Sequence, residues 1–200
     1  MKALVLSLRL VLWTTILLGF LYPLAVTGLA QVFFAFQANG SLVAERGEPV
    51  GSFLIGQDFS KASGYFIGRP SATGDHPYNP LASGGSNLSV VGKVFQDSVK
   101  KLRDTWRSKA EAAGIKTPVP EALVTASASG LDPDLDLQAA LWEAPIVAQE
   151  RKMDVEAVQA LVRTQAVKPV FPWDPPAFVN VLELNLALDK SSNPQEKIMQ

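Results

Sequence analysis

The hydrophobic pattern of this chain opens with an uncharged apolar run over residues 10–36, and shorter apolar periodicities follow it. About 20 apolar residues, each adding 1.5 Å to a helix, cross the hydrocarbon core of a bilayer. We therefore predict a single transmembrane helix over residues 10–36. A cleaved signal ending at Gly28-Leu29-Ala30 is less favoured because the apolar centre is too long for one, and a buried core helix suits shorter runs.

Charge predicts the orientation of this helix. Lys2, Arg9 and the amino terminus precede the run, whereas the first charge after it is Glu45. By the positive-inside rule, residues 1–9 form a cytoplasmic N-terminus and the remainder of the chain lies outside the cytoplasm.

Small residues within the run offer a surface for a second helix. Pro23 removes one backbone hydrogen bond, which membrane helices tolerate when a neighbour satisfies the freed carbonyl. Gly19, Ala25 and Gly28 would allow such a neighbour to approach closely. Gly19, Pro23, Ala25 and Gly28 are therefore candidate partner-helix contacts, and a lone, gently bent anchor facing lipid is the alternative.

Beyond a polar linker over residues 37–51, mixed periodicities predict an α+β domain over residues 52–189 and a flexible tail over 190–200. Spacings of three or four predict helices, and short apolar or alternating runs predict strands. The predicted helices cover 91–113, 135–151 and a segment after Asp154 that ends before a loop over 166–177; the predicted strands cover 52–59, 122–126 and 178–186. Pro145 is expected to bend or divide the second helix, and Asp154 to cap the third.

A long segment over residues 60–87 is rich in Ser, Gly and Pro and shows little periodicity. Such a loop is uncommon in a compact domain unless it has a role or its own side chains hold it. Tyr65, Phe66 and Tyr78 are the candidate anchoring residues. Arg69 is expected to donate to loop carbonyls or to a carboxylate of a partner.

Ser83, Gly84, Gly85, Ser86 and Asn87 close this loop directly before the first predicted helix of the domain. Ser86 or Asn87 is expected to cap that helix, because Ser and Asn favour the cap position. A glycine pair that opens a helix is also a possible anion site, although the motif lacks the lysine of a P-loop. Capping is the favoured interpretation.

Composition removes several classes of function. A net charge of −1 shows no basic excess and argues against nucleic acid as a partner. Cysteine is absent and His76 is the only histidine, so thiol catalysis, Cys-ligated zinc and a multi-His metal site are excluded. His76 lies in a turn-like setting without a nucleophile elbow, and Asp132, Asp134 and Asp136 lack the Gly and Glu of a calcium loop. We expect no catalytic or metal site, but a surface histidine and a solvated acidic turn.

Taken together, the segments resemble the C subunit of the bacterial high-affinity, Kdp-type potassium-transporting P-type ATPase, the KdpC family. The matching stretches follow the family order over nearly the whole chain: GSFLIGQ at 51–57, YF at 65–66, RPSA at 69–72, YNP at 78–80, SGGSNL at 83–88, LVTASASGLDP at 123–133 and VNVLELNLALD at 179–189.

This resemblance implies a non-catalytic subunit, single-pass in the bacterial inner membrane. The implied partners are a potassium-translocating subunit, a P-type ATP-hydrolysing subunit and a small membrane subunit. The family subunit is needed for assembly and activity, and it is described as a catalytic chaperone that raises ATP affinity. The family's proposed ATP contact falls on Ser83, Gly84, Gly85, Ser86 and Asn87, and it conflicts with the predicted topology because ATP is cytoplasmic. Direct ATP binding and an anchored extracytoplasmic binding domain are the alternative functions.

The chain also departs from the family pattern. Residues 89–93 replace a Gly-Pro-Thr-Asn-Pro run, and Asp134 replaces the His after Leu-Asp-Pro. Glu143 and Ile146 stand where Gln and Arg are usual, with Pro145 between them. Any role of that Gln in nucleotide contact does not transfer to this chain.

Overall fold

A computed structural model describes residues 1–45 and 47–192 of the chain. The chain divides into two compact units, Met1–Ser52 and the part from Phe53 onward.

The first unit begins with a long apolar helix. Helix α1 (Lys2–Ile16), a π turn (Leu17–Leu21) and helix α2 (Tyr22–Phe33) follow one another directly and together form the 32-residue helix Lys2–Phe33, which is long and apolar enough to cross a membrane. A single apolar helix is therefore confirmed, but it begins earlier and ends sooner than residues 10–36. It ends because Phe34 leaves the helical region, with φ −137° and ψ 41°, and the short helix α3 (Ala35–Ala38) follows.

The π turn explains how the helix accommodates Pro23. Proline has no N–H, and its ring clashes with the carbonyl one turn earlier in a regular α-helix. The Tyr22 N–H bonds to the Leu17 carbonyl five residues back, which widens the turn directly before the proline. Pro23 thereby lies in the first turn of α2, where no intrahelical donor is required of it, and the chain stays helical.

A hairpin completes the first unit and corrects two predictions. Strands β1 (Leu42–Glu45) and β2 (Glu48–Ser52) pair antiparallel, with a bulge between Val43 and Ala44. The segment 37–51, predicted as a linker, therefore contains a hairpin, and the prediction of a strand over 52–59 was wrong, since residues 53–59 form turns and irregular backbone. The hairpin strands are mostly exposed, so they carry no alternation of apolar and polar residues that would reveal them.

The second unit is a mixed α+β body in which helices predominate. Its elements in order are a 3₁₀ turn (Pro80–Ala82), α4 (Lys93–Ala112), a 3₁₀ turn (Glu121–Leu123), β3 (Asp134–Asp136), α5 (Leu137–Arg151), α6 (Val155–Gln165), β4 (Phe178–Asn180) and α7 (Val181–Ser192). Strands β3 and β4 pair antiparallel through Leu135 and Val179, and Val167 adds a bridge to Phe178. The α+β prediction is confirmed for this unit.

Helix α5 is the centre of the body. It packs against α4, α6 and the strand pair, and it is buried on most of its circumference. Small alanines at 139, 140, 144 and 148 allow these close approaches. The surrounding core side chains are fully or nearly fully buried: Phe66, Trp106, Leu123, Leu135, Val158, Val162, Val179, Leu184 and Leu188.

Helix predictions held better than strand predictions. α5 continues through Pro145 and is not divided, and the Asp154 carboxylate caps α6 by accepting from the Ala157 N–H at 3.1 Å. Residues 122–126 are a 3₁₀ turn and loop rather than a strand, although Leu123 and Val124 are buried as expected.

The predicted strand over 178–186 is a strand for three residues only. The Asn180 side chain accepts from the Glu183 N–H at 3.1 Å and starts α7 at Val181. Val181, Leu184 and Leu188 then face the core at spacings of three and four, so this stretch satisfies both the strand and the helix period. Lys190, predicted to begin a tail, still belongs to α7, and residues 193–200 lie outside the described part of the chain.

Candidate functional site

The long loop over residues 60–87 is fastened to the body by its aromatic residues, as predicted. Phe66 is fully buried, and the Asn185 side-chain amide pairs with both its N–H and its carbonyl, at 2.9 and 3.0 Å. The Tyr65 hydroxyl donates to Asp189 at 3.0 Å. The loop is therefore held against α7 by satisfied hydrogen bonds rather than left free.

Arg69 and Tyr78 link the loop to the acidic turn. Arg69 pairs with Asp132 at 3.2 Å and donates to the Ala126 carbonyl at 3.4 Å, so its expected acceptors are found, with the carboxylate on its own chain. The Tyr78 hydroxyl donates to the Arg69 carbonyl at 2.6 Å. Burial, followed by the negative charges of Asp58 and Asp132, raises the pKa of Tyr78 to about 12, so it remains a donor at neutral pH.

The prediction of a solvated acidic turn was wrong in part, because Asp134 and Asp136 lie in strand β3 and both Asp132 and Asp134 are half-buried. Asp132 accepts from the Asp134 N–H at 3.1 Å, and Asn180 donates to Asp134 at 3.4 Å. Burial and the neighbouring Asp132 charge raise the pKa of Asp134. Among the described residues, no group of three or more His, Asp or Glu side chains could hold a metal ion. His76 is exposed in a turn.

The predicted nucleotide loop packs on the turn before Asp132. The Gly84 N–H and the Ser83 hydroxyl both donate to the Ser129 carbonyl, at 2.8 and 3.0 Å. A Cβ added to Gly85 would lie 3.0 Å from the Ala128 carbonyl oxygen, so this close approach favours glycine. The first half of the motif is therefore occupied with holding two loops together.

The second half of the motif does not open a helix. Ser86 and Asn87 are exposed, and α4 begins only at Lys93, with Gly92 at the N-cap and no side-chain cap bond. The prediction that Ser86 or Asn87 caps this helix was wrong, because a turn in which Gly92 N–H bonds to the Ser89 carbonyl intervenes. Ser83, Gly84, Gly85, Ser86 and Asn87 thus lack the helix N-terminus that would favour an anion, and nucleotide contact stays a prediction.

The candidate partner-helix residues leave an open helix surface. A Cβ at Gly28 would meet no atom within 4 Å, and one at Gly19 would meet only the Thr15 methyl group at 3.8 Å. Pro23 and Ala25 lie between them in α2. Within the described residues, none of the most apolar part of the helix is buried.

Glu143 is a buried, charged residue type in the core, and the sequence did not predict it as a functional residue. It lies in α5, only 1% exposed, and its Oε1 accepts from the Ile67 N–H at 2.9 Å. Among the described residues, Oε2 has no hydrogen-bond partner. Burial raises the pKa of Glu143 to about 8, against the opposing effects of the Ile67 N–H and the Lys109 charge. The signal was available, since Glu143 is a lone charge in an otherwise apolar stretch of helix.

Comparisons with known proteins agree over nearly the full chain. The family model described as "KdpC: K+-transporting ATPase, c chain" matches residues 4–190. A potassium-transporting ATPase KdpC subunit of Erwinia tasmaniensis is 50% identical over 182 residues, covering 90% of this chain and 93% of the relative. The subunits of that name from Photorhabdus laumondii, at 45% over 183 residues, and Polaromonas naphthalenivorans, at 50% over 175 residues, cover 92% and 88% of this chain and 93% and 88% of their own lengths.

Proposed function

The chain belongs to the KdpC family, the c chain of K⁺-transporting ATPases, and we propose that it acts as the accessory, non-catalytic subunit that such a pump needs for assembly and activity. The observation that carries this proposal is the family match over residues 4–190, which includes both the apolar helix and the body. Its partners would be the potassium-translocating subunit, the P-type ATP-hydrolysing subunit and a small membrane subunit.

We propose that the helix Lys2–Phe33 anchors the subunit in the bacterial inner membrane with its N-terminus in the cytoplasm. Lys2 and Arg9 are the basic residues at its start, and no Lys or Arg occurs between Arg9 and Arg46. This asymmetry supports an N-in orientation. The second unit would then lie outside the cytoplasm, on the side from which a pump takes up potassium.

The anchor would also contact a helix of the pump through Gly19, Pro23, Ala25 and Gly28. Small side chains let two helix backbones approach closely, and van der Waals contact then favours association in lipid. The open space around Gly19 and Gly28 supports this role. A bulky residue at Gly28 would obstruct the partner without meeting any atom of its own chain.

An effect on ATP affinity would be indirect in this arrangement. The Ser83 hydroxyl and the Gly84 N–H already donate to the Ser129 carbonyl. The motif contains no basic residue and does not lie at the start of a helix. These features, together with the proposed orientation, favour a subunit that supports the ATP-hydrolysing partner through the assembly over one that binds ATP at Ser86 and Asn87. Direct ATP binding is the second candidate.

Two experiments test the proposal. Co-expression with the other pump subunits should give a complex that contains this chain, and deletion of the helix Lys2–Phe33 should abolish potassium-stimulated ATPase activity. Full activity of a pump lacking this chain would refute the accessory role.

A third experiment, which uses thiol labelling, addresses the site of ATP action. The chain has no cysteine, so a Ser86→Cys variant carries a single thiol. We expect a membrane-impermeant maleimide to label it in intact spheroplasts, whereas a Ser7→Cys control should react only after permeabilisation. Labelling of Ser86→Cys only after permeabilisation, with ATP protecting it, would favour direct ATP binding instead.

A further inference from the structure

A cavity of about 260 Å³ lies beside Glu143 in the second unit. The loop over residues 60–67 and helices α4 and α5 form its walls. This volume is many times the space that one water molecule requires. A single bridging water therefore does not account for it, and its size suits a small metabolite better than a drug-sized ligand. We refer to it as the Glu143 cavity.

The polar groups of the Glu143 cavity are incompletely paired. Glu143 contributes a carboxyl whose Oε2 is buried and has no partner among the described residues. Lys109 extends from α4 over the face of Trp106, with its Nζ 5.0 Å from the ring centroid, and no carboxylate of the described chain pairs with it within 4.0 Å. A buried polar atom without a partner is costly, so the Glu143 carboxyl group favours a ligand that completes its hydrogen bonding. Lys109 is exposed, and its ammonium group is accessible to such a ligand.

The charged residues around the Glu143 cavity determine which sign of charge a ligand should carry. Lys61 from the loop, Lys109 from α4 and Glu150 from α5 are the ionisable groups that line it besides Glu143, and Glu150 already accepts from the Ser63 hydroxyl. Burial favours the neutral form of Glu143 near pH 7. Two exposed ammonium groups and one exposed carboxylate then line the cavity, so its net positive charge favours an anion over a cation.

The shape of the cavity selects the rest of the ligand. Ile146 and Val147 provide an apolar wall on α5 next to Glu143, and Ile67 adds to it from the loop. A protonated carboxyl group donates one hydrogen bond, and an ammonium group donates up to three. A carboxylate accepts from both donors through its two oxygens, while a short carbon chain can lie against the apolar wall.

We propose that the Glu143 cavity binds a small aliphatic carboxylate, held between the Glu143 carboxyl group and the Lys109 ammonium group. Ile146 and Val147 contact its carbon chain. This site is separate from the partner-helix surface and from the loop over residues 83–87. Occupancy of the site would then follow the concentration of small organic anions on the side of the membrane where the second unit lies.

The test uses two four-carbon probes of similar size and opposite charge. Butyrate and butylammonium are titrated onto the full-length chain in lipid nanodiscs, and binding is followed by saturation-transfer difference NMR. At about pH 6 we expect saturable binding of butyrate and none of butylammonium. At about pH 9 ionisation of Glu143 should weaken butyrate binding about tenfold, since this pH lies roughly one unit above its pKa of about 8.

Two variants identify the groups involved. Glu143→Gln should keep butyrate binding and lose its pH dependence, because the amide oxygen can accept from the Ile67 N–H and leave the NH₂ group as donor. Lys109→Met should lose butyrate binding, whereas Lys100→Met, an exposed position of the same helix outside the cavity, should not.

Three outcomes would overturn the proposal. The first is saturable binding of neither probe to the folded protein. The second is butylammonium binding that strengthens with pH and disappears in Glu143→Gln, which would make the site a cation site built on an ionised Glu143. The third is butyrate binding that Lys109→Met leaves unchanged.

Discussion

Replacing Glu143 by Gln exchanges a buried carboxyl group for a neutral amide of nearly the same shape. Both side chains can accept from the Ile67 N–H, which the Glu143 Oε1 does at 2.9 Å. The two differ in their response to pH. Burial raises the pKa of Glu143 from its ordinary 4.5 to about 8 in the folded chain. The folded state therefore holds a proton that the unfolded state has already released.

The sign and size of the effect follow from this difference. Between about pH 4.5 and pH 8 the folded state binds more protons than the unfolded state, so the free energy of unfolding falls as pH rises through this window. At about 1.36 kcal/mol per pKa unit, the full effect is about 5 kcal/mol. Relaxation of the folded state around the ionised carboxylate reduces this effect. We expect Glu143→Gln to match the wild type near pH 5 and to exceed it by at least about 2 kcal/mol at pH 8.

Urea denaturation of the full-length chain in detergent micelles measures this difference. Near-UV circular dichroism reports on the edge-to-face pair Trp106 and Trp142, whose ring centroids lie 6.0 Å apart inside the body. Glu111→Gln is the matched control, because Glu111 is exposed on α4 and should leave the pH profile unchanged. A wild type whose stability relative to Glu143→Gln is flat or rises between pH 5 and pH 8 would refute the assignment of a neutral, buried Glu143.

Three further predictions concern single contacts. Asp154→Ala should cost about 1 kcal/mol in urea denaturation, because it removes the cap bond to the Ala157 N–H, and Asp154→Asn should restore most of that loss. Gly130→Ala should destabilise the body by more than about 2 kcal/mol, because its φ is +68° and an added Cβ would lie 2.4 Å from the Thr73 methyl carbon. Gly114→Ala is the control: its φ is +72° but the space around it is open, so it should cost only about 1 kcal/mol. Equal losses in the two variants would contradict this account. Gly28→Leu should reduce co-purification of the pump subunits, because the added side chain would hold a partner helix away from this position; unchanged co-purification in Gly28→Leu would exclude a partner contact at Gly28.

The sequence by itself determined the elements whose pattern is local. The apolar run over residues 10–36 identified the first helix, because a bilayer-spanning length needs no tertiary partner to be recognised, but it did not give the bounds Lys2–Phe33. The stripe that includes Val99, Trp106 and Ala110 identifies α4, and Asp154 marks the start of α6 with a side chain that reaches only three residues ahead. The order of short motifs also identified the family.

Tertiary structure decided what local pattern leaves ambiguous. The stretch after Phe178 satisfies two periods at once, and it becomes α7 because Leu184 and Leu188 reach the core when the chain is helical. The exposed hairpin of β1 and β2 has no buried face to mark it in the sequence. The pairing of Gly84 with Ser129 joins residues 45 positions apart, so a motif that reads as a helix start serves as a loop contact.

Glu143 shows the same limit at the level of chemistry. The sequence places a carboxyl group among apolar residues of a helix, but it does not say whether that group faces solvent or core. Its hydrogen-bond donor, the Ile67 N–H, lies 76 residues earlier in the chain, and the neighbouring Lys109 lies 34 residues earlier. The pKa of Glu143 depends on this environment, because the free energy of ionising a group is set by the solvent and charges that folding brings around it.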